Sequence, residues 1–148
     1  MTAPSPALPV PRLVLDTHVL LDALVFGDPR VTDLWAGVTA GRWHWHATAA
    51  MREEFEDVVA RPRFASWQPD PAALAQAWAE YARLEPAAAA APWRCTDPDD
   101  QKFIDLALAL GAGTVLLSRD RALLKLASRA RVAGVRVLTP ERHAADAP

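Results

Sequence analysis

The segment Arg12-Leu13-Val14-Leu15-Asp16 decides the fold that we predict for this chain. Its run of consecutive apolar residues is typical of a strand that is buried on both faces, as strands in parallel sheets are. A charged residue directly after such a strand must lie at the end of the sheet. We therefore expect a central strand over residues 12–16 that ends in a carboxylate.

Strand and helix patterns alternate along the rest of the chain. Apolar residues at helical spacing follow the first strand, and a period-2 alternation then marks a second strand. Such alternation predicts an α/β protein with three layers, α/β/α, and a central, mostly parallel sheet. The predicted strands cover residues 12–16, 42–47, 114–118 and 135–138, and the main predicted helices cover 31–40, 48–60, 71–81, 98–111 and 121–131.

Length and composition indicate one domain. The chain has 148 residues, 51% hydrophobic and 23% charged, which suits a single globular core. We assign residues 12–140 to this domain, 1–11 to a flexible, proline-rich leader and 141–148 to a flexible tail. No apolar run approaches the ~20 residues of a membrane helix, and the single Cys95 fits a reducing compartment. We therefore expect a cytoplasmic protein that has no contact with membranes.

Four carboxylates lie where the topology of a parallel sheet can bring them together. Asp16 and Asp120 each follow a predicted strand, and ligands bind outside the carboxyl ends of such strands, where strand order reverses. Asp100 stands at the N-terminal edge of an otherwise apolar helix face. Glu54 borders the apolar face of its own helix, and Glu53 is the alternative because it is one residue away.

A group of four carboxylates points to a bound cation, because like charges in one place cannot all stay ionised. Carboxylate oxygens suit Mg²⁺ or Mn²⁺, so the pattern indicates metal-assisted phosphoester chemistry. Ser118 is placed to donate a hydrogen bond to a ligand carboxylate, and Thr17 offers a second hydroxyl at the same sheet edge. Asp97 and Asp99 are interpreted as capping and first-turn acids.

Four segments resemble, in chain order, the motifs of the PIN-domain ribonucleases, and among these the toxins of bacterial toxin–antitoxin systems (VapC-like toxins). The third segment carries the most specific motif of that family, and together the segments span nearly the whole chain. The segments are LVLDTHVL (13–20), AMREEFEDV (50–58) with RPRF (61–64), DPDDQKFIDLA (97–107) and VLLSRDRALL (115–124).

The resemblance implies a PIN-like fold and a metal-dependent endoribonuclease that cleaves single-stranded RNA as the toxin of a type II system. It implies that Ser118 supports Asp120, and that partners include a cognate antitoxin protein and, as a further option, a second copy of the chain. The implied catalytic residues, which would bind one or two Mg²⁺ or Mn²⁺ ions, are Asp16, Glu54, Asp100 and Asp120.

Two positions depart from the family pattern. His18 stands where Asn usually follows Asp-Thr, and Gln101 stands where Asn is common. A histidine can hydrogen-bond the acids, become cationic or ligate a metal. The departures leave metal preference and pH optimum open.

Basic residues dominate the C-terminal part of the chain, although the formal net charge of the whole is −2. Arg121, Lys125 and Arg129 are spaced i, i+4, i+8, which most simply indicates a solvated helix face. A phosphate-binding track from Asp120 or a docking strip for an acidic partner are the alternatives. Arg119 is the best single candidate for contact with the RNA backbone.

Two other functions compete with the ribonuclease. A phosphate-monoester hydrolase on a similar sheet would have Asp-x-Asp after the first strand, whereas position 18 is histidine. A catalytically degenerate domain that binds only RNA or protein would have no reason to retain four acids.

Overall fold

The computed structural model describes residues 10–146 and contains one five-stranded sheet. The strands stand in the order β3-β2-β1-β4-β5, and each neighbouring pair is parallel. This confirms the predicted α/β class and the parallel sheet. The strands are β1 Arg12–Leu15, β2 His44–Thr48, β3 Ala82–Glu85, β4 Thr114–Leu117 and β5 Arg136–Leu138.

Helices connect the strands and cover both faces of the sheet, which confirms the three-layer α/β/α architecture. Among the described residues, no helix is both long enough and apolar enough to cross a membrane. The helices are α1 Thr17–Leu21, continued by a π-helical turn at Asp22–Phe26, α2 Pro29–Thr39, α3 Ala49–Val59, α4 Pro71–Tyr81, α5 Gln101–Leu110, α6 Arg121–Leu124, α7 Ala127–Val132 and α8 Pro140–Asp146, with 3₁₀ helices at Pro62–Trp67 and Pro98–Asp100.

Strand β1 is the centre of the core. Leu13, Val14 and Leu15 are each at most 1% exposed, as expected for a strand that is covered on both faces. Helix α5 packs on β1 and β4 and buries Phe103 and Ile104. Burial of each such side chain stabilises the fold by about 1.5–3 kcal/mol. The sheet therefore gives a rigid base to whatever its carboxyl edge carries.

The strand order reverses between β1 and β4. From β1 the sheet grows through β2 to β3 on one side, and through β4 to β5 on the other. Leu15 is in register with Leu117, and the Asp16 N–H donates to the Leu117 carbonyl at 3.1 Å. The residues that follow these two strands therefore lie side by side in the crevice of the carboxyl edge, as the sequence predicts for Asp16 and Asp120.

Strand β3 is absent from the sequence prediction. It is a short edge strand that pairs only with β2, and none of its four residues is fully buried. A strand without a buried face carries no hydrophobic alternation, so the pairing with β2, rather than the sequence pattern, creates it.

The predicted helix over residues 121–131 is two helices in the structure. The Leu126 N–H bonds to the Leu123 carbonyl, an i to i+3 turn that ends α6, and both leucines are buried. The tighter turn allows both side chains to enter the core. Arg121, Lys125 and Arg129 consequently do not lie along one continuous helix.

The chain ends differ in part from the prediction. Residues 1–9 of the predicted leader lie outside the described residues. Helix α8 occupies most of the predicted tail, whose flexibility stays a prediction, whereas 147–148 lie outside the description. The Thr139 hydroxyl accepts from the Arg142 N–H at 3.1 Å, and Arg136 pairs with Asp146 at 2.8 Å. Helix α8 packs against α2, a tertiary contact that no local pattern reveals.

Candidate active site

Asp16 is held rigidly at the end of β1. It caps α1, since its Oδ1 accepts from the Val19 N–H at 2.8 Å, and its Oδ2 accepts from the Ser118 hydroxyl. Only 4% of the residue is exposed. Burial raises the pKa of the Asp16 carboxyl, and the hydrogen bonds from Ser118 and Val19 oppose that rise. The carboxylate is therefore fixed in position before any ligand arrives.

Ser118 joins the ends of the two central strands. Its hydroxyl donates to Asp16, and the Asp120 N–H donates to the same oxygen at 2.9 Å. The sequence places Ser118 in support of Asp120. In the structure it supports the carboxylate of Asp16, and it contacts Asp120 only through that residue's main chain.

Glu54 enters the same cleft from α3. Its Oε2 accepts from the Thr17 hydroxyl at 2.7 Å and lies 3.1 Å from the Lys102 ammonium. Glu53 is exposed and is not among the residues that line the cleft. The geometry therefore selects Glu54 over Glu53. Thr17 contributes through Glu54.

Asp97, Asp100 and Asp120 form the tightest group of acids. Each can offer one oxygen so that the three atoms lie within 4.8 Å of one another. Two are also helix caps: Asp97 Oδ1 accepts from the Asp99 N–H at 3.0 Å, and Asp120 Oδ1 from the Ala122 N–H at 2.7 Å. Asp97 thus has the capping role that the sequence predicts and, in addition, a place in the cluster. We call these three residues the aspartate cluster.

Asp100 is the least compensated member of the aspartate cluster. Its Oδ2 is buried and has no hydrogen-bond partner among the described residues. Burial, together with contact with the Asp120 carboxylate and the charges of Asp97 and Asp16, raises the pKa of Asp100 to about 7. An oxygen without a partner beside other carboxylates needs either a proton or a cation.

The aspartate cluster fits a divalent metal ion. Its donors are hard oxygens, the buried Oδ2 of Asp100 has no hydrogen-bond partner in the described part of the chain, and the separations suit a single ion. Asp100 and Asp120 would hold the ion, with Asp97 at the exposed side and Asp16 beside them. Asp16 lines the cleft but stands outside the three-residue group, and both of its oxygens already accept hydrogen bonds.

The cleft around these acids has a volume of about 210 Å³. A larger cavity of about 750 Å³ lies between β5 and α8, but no member of the aspartate cluster lines it. The residues that line the cleft are Asp16, Thr17, His18, Glu54, Val58, Arg61, Arg63, Asp97, Asp99, Asp100 and Asp120. All four acids that the sequence singles out are therefore in one place.

The basic residues that the sequence proposes for RNA binding lie elsewhere. Arg119 pairs with Asp22 and, at 2.6 Å, with Glu141, so its charge is already balanced. Arg121 and Lys125 are exposed and do not line the cleft. Arg119 would have to leave both carboxylates before it could bind a phosphate.

The two departures from the family pattern have different surroundings. His18 is exposed and lines the cleft. Gln101 instead braces the loop before α5, because it donates to the Trp93 carbonyl at 3.0 Å and accepts from the Cys95 N–H at 2.6 Å. It also donates to Asp105, so Gln101 makes its hydrogen bonds outside the cluster.

Sequence reasoning missed three roles at the cleft. The sequence predicts only a capping role for Asp97, although the i, i+3 spacing to Asp100 places both on one side of a helical turn. Lys102 precedes the buried face of α5 and gave no signal of its contact with Glu54. Arg61 and Arg63 belong to the RPRF segment, which by itself predicts no role for them, and the structure brings both to the cleft.

Comparison with known families agrees with this geometry. A family model described as PIN domain matches residues 12–122, which is most of the chain. No curated protein matches the chain.

Proposed function

The chain belongs to the PIN-domain family, and on this basis we propose that it is a metal-dependent endoribonuclease. PIN domains are generally nucleases that bind divalent metals, and the acidic cluster of this chain is suited to such an ion. The observation that carries the proposal is the buried Oδ2 of Asp100, which has no hydrogen-bond partner among residues 10–146 and lies in a cluster with Asp97 and Asp120. Mg²⁺ and Mn²⁺ are the proposed ions, because both prefer oxygen ligands.

Residues around the cleft position its carboxylates and offset part of their negative charge. Asp97, Asp100 and Asp120 would hold a divalent ion, which would supply Lewis-acid charge for phosphodiester hydrolysis. Ser118 and the Val19 N–H fix Asp16 on the cleft wall, so that this carboxylate does not need to reorganise. Thr17 and Lys102 hold Glu54, and Lys102 also offsets one negative charge. This matters because uncompensated carboxylates would repel a phosphate.

We further propose that the nuclease is the toxin of a type II toxin–antitoxin system, with single-stranded RNA as substrate and an antitoxin protein as partner. The support is the resemblance of its four motifs to VapC-like toxins. A cytoplasmic location and a homodimer belong to the same proposal.

RNA cleavage with and without metal tests the enzyme assignment. The purified protein should cut single-stranded RNA in Mg²⁺ or Mn²⁺, and EDTA should stop it. Asp16→Asn and Asp100→Asn should each abolish cleavage while circular dichroism stays that of the parent. Glu53→Gln is the matched control, since Glu53 does not line the cleft, and it should cut at the parent rate. If both aspartate variants cut like the parent, the site is misassigned; binding of RNA without cleavage would favour the degenerate domain.

A further inference from the structure

Arg61 and Arg63 bring free positive charge to the acidic cleft. Both are exposed and line it. Within residues 10–146, no carboxylate lies within ion-pair distance of either guanidinium and neither side chain makes a hydrogen bond. Arg119, in contrast, is balanced by Asp22 and Glu141. Among the residues that line the cleft, Arg61 and Arg63 are therefore the arginines that are available to a phosphate.

Arg63 is also held in position. Its guanidinium carbon lies 4.7 Å from the ring centroid of Phe64, whose side chain is buried. Such a cation–π contact limits the motion of the arginine and leaves its N–H fork available. A preoriented guanidinium beside a metal site is suited to a phosphate oxygen.

Trp67 ends the same 3₁₀ helix, Pro62–Trp67, and is the exposed aromatic residue of this region. It packs against Phe26 with ring centroids 4.7 Å apart, yet 53% of the residue remains exposed. Trp35 contrasts with it, because it is half-buried between Trp45 and Tyr81. An exposed indole that is braced from one side can serve as a stacking platform for a base.

Phe26 contacts both Trp67 and Phe64, the ring on which Arg63 stacks, so Trp67 neighbours the arginines through this shared aromatic packing. We call Arg61, Arg63 and Trp67 together the 61–67 strip. A 3₁₀ helix rises about 2 Å per residue, so Trp67 lies roughly 8 Å along the axis from Arg63. That spacing suits a phosphate on the arginine side and a nearby base on the indole.

We propose that the 61–67 strip binds single-stranded nucleic acid that leads into the aspartate cluster. The inference extends the proposed nuclease function, because it names what holds the substrate. Arg61 and Arg63 bind backbone phosphates, and Trp67 stacks on a base. A duplex cannot use the strip fully, because its bases are already stacked and paired; the strip therefore selects unpaired strands.

Binding in EDTA separates this inference from catalysis. Fluorescein-labelled oligo(U) and oligo(dT) are titrated with the full chain at low salt, and anisotropy reports binding without cleavage. Trp67→Leu keeps an apolar contact with Phe26 but removes the stacking face, so it should weaken binding about 10-fold. Trp67→Phe keeps an aromatic face and should restore most of the affinity.

The charge of Arg63 has its own readout. Arg63→Met keeps an apolar side chain on Phe64 and should lower the slope of log affinity against log salt by about 0.7, the value for one phosphate contact on a single strand. Arg63→Lys should recover the slope. Arg42→Gln is the matched control: this arginine also stacks on its neighbour, Trp43, but precedes β2 at the opposite edge of the sheet, and its loss should change nothing.

The outcomes distinguish the two proposals. Weaker binding by Trp67→Leu and Arg63→Met supports the strip, even if the parent cuts no RNA. The strip is overturned if the parent does not bind either oligonucleotide, if a duplex of the same length binds as tightly, or if Trp67→Phe loses as much affinity as Trp67→Leu. RNA cleavage by a parent whose strip variants bind normally would leave the nuclease intact and remove only this inference.

Discussion

The two halves of the cleft compensate their carboxylates in opposite ways. On the β1 half, Asp16 and Glu54 each accept hydrogen bonds from neighbouring side chains or main chain, and Lys102 balances Glu54. In the aspartate cluster, Asp100 has a buried oxygen for which the described residues offer no hydrogen-bond partner, and its neighbours are acids. The first half is complete as folded, whereas the second needs a proton or a metal. The difference indicates that binding of the ion is favoured mainly because it relieves the repulsion among the carboxylates of the aspartate cluster.

The largest expected effect is on metal affinity. Asp100→Asn removes a ligand and the repulsion that favours the ion, so affinity for Mg²⁺ or Mn²⁺ should fall by at least about 100-fold, beyond the usual effect of changing an outer-shell partner. Isothermal titration calorimetry measures this directly. Glu53→Gln should bind the ion like the parent. If Asp16→Asn lost more affinity for the metal ion than Asp100→Asn, the β1 half rather than the aspartate cluster would dominate metal binding.

The next effect concerns stability without metal. Asp16→Ala removes the cap of α1 and leaves the Ser118 hydroxyl without its acceptor, so the free energy of unfolding should fall by about 2 kcal/mol. Asp100→Asn removes only an uncompensated charge and should leave that free energy unchanged or raise it. Urea denaturation in EDTA tests both variants. Equal losses of unfolding free energy in the two variants would show that both halves of the cleft compensate their carboxylates to the same extent.

The pKa of Asp100 predicts how stability depends on pH. Its folded-state pKa of about 7 lies above the ordinary value of 3.8, so between these pH values the folded chain holds more protons than the unfolded chain. The contribution of Asp100 to the free energy of unfolding is therefore fully present below about pH 4 and is lost as the pH rises through 7. Asp16, whose pKa is also raised, acts in the same direction.

Thermal melts in EDTA and in Mg²⁺ test this dependence. The depressed pKa values of His44 and His143 act in the opposite direction, so the difference between parent and Asp100→Asn isolates the aspartate. Relative to Asp100→Asn, the metal-free parent should lose melting temperature between pH 5 and pH 8. Mg²⁺ should raise the parent's melting temperature more at pH 8, where no proton competes for Asp100. An equal rise at both pH values would contradict the assigned pKa.

The smallest expected effect comes from Lys102. Lys102→Met removes the cation beside Glu54 and should reduce stability by less than about 1 kcal/mol, because the pair is partly exposed. The freed charge of Glu54 should make the ion bind a few-fold more tightly in calorimetry. Weaker metal binding would mean that Lys102 positions the site rather than balances it.

Much of the fold is readable from sequence where burial leaves a local pattern. The apolar run of β1 predicts a central strand, and the predicted helices 48–60 and 71–81 correspond to α3 and α4, whose N-caps are Thr48 and Asp70. The sequence pattern does not predict strand β3 or helix α8, because both are stabilised by contacts with neighbouring elements rather than by an apolar periodicity of their own. The break between α6 and α7 is not predicted for the same reason.

The sequence by itself determined that acids would follow β1 and β4, because a charged residue directly after a buried apolar strand must lie at the carboxyl edge of a parallel sheet. Only the tertiary structure decided which atoms meet. The Ser118 hydroxyl donates a hydrogen bond to Asp16, which is 102 residues away in the chain. Asp97 lies in one cluster with Asp100 and Asp120. Arg119 forms ion pairs with Asp22 and Glu141. Periodicity records whether a residue is buried, whereas strand order and register set the distance between groups that are remote in the chain. The charge balance of the cleft depends on those distances.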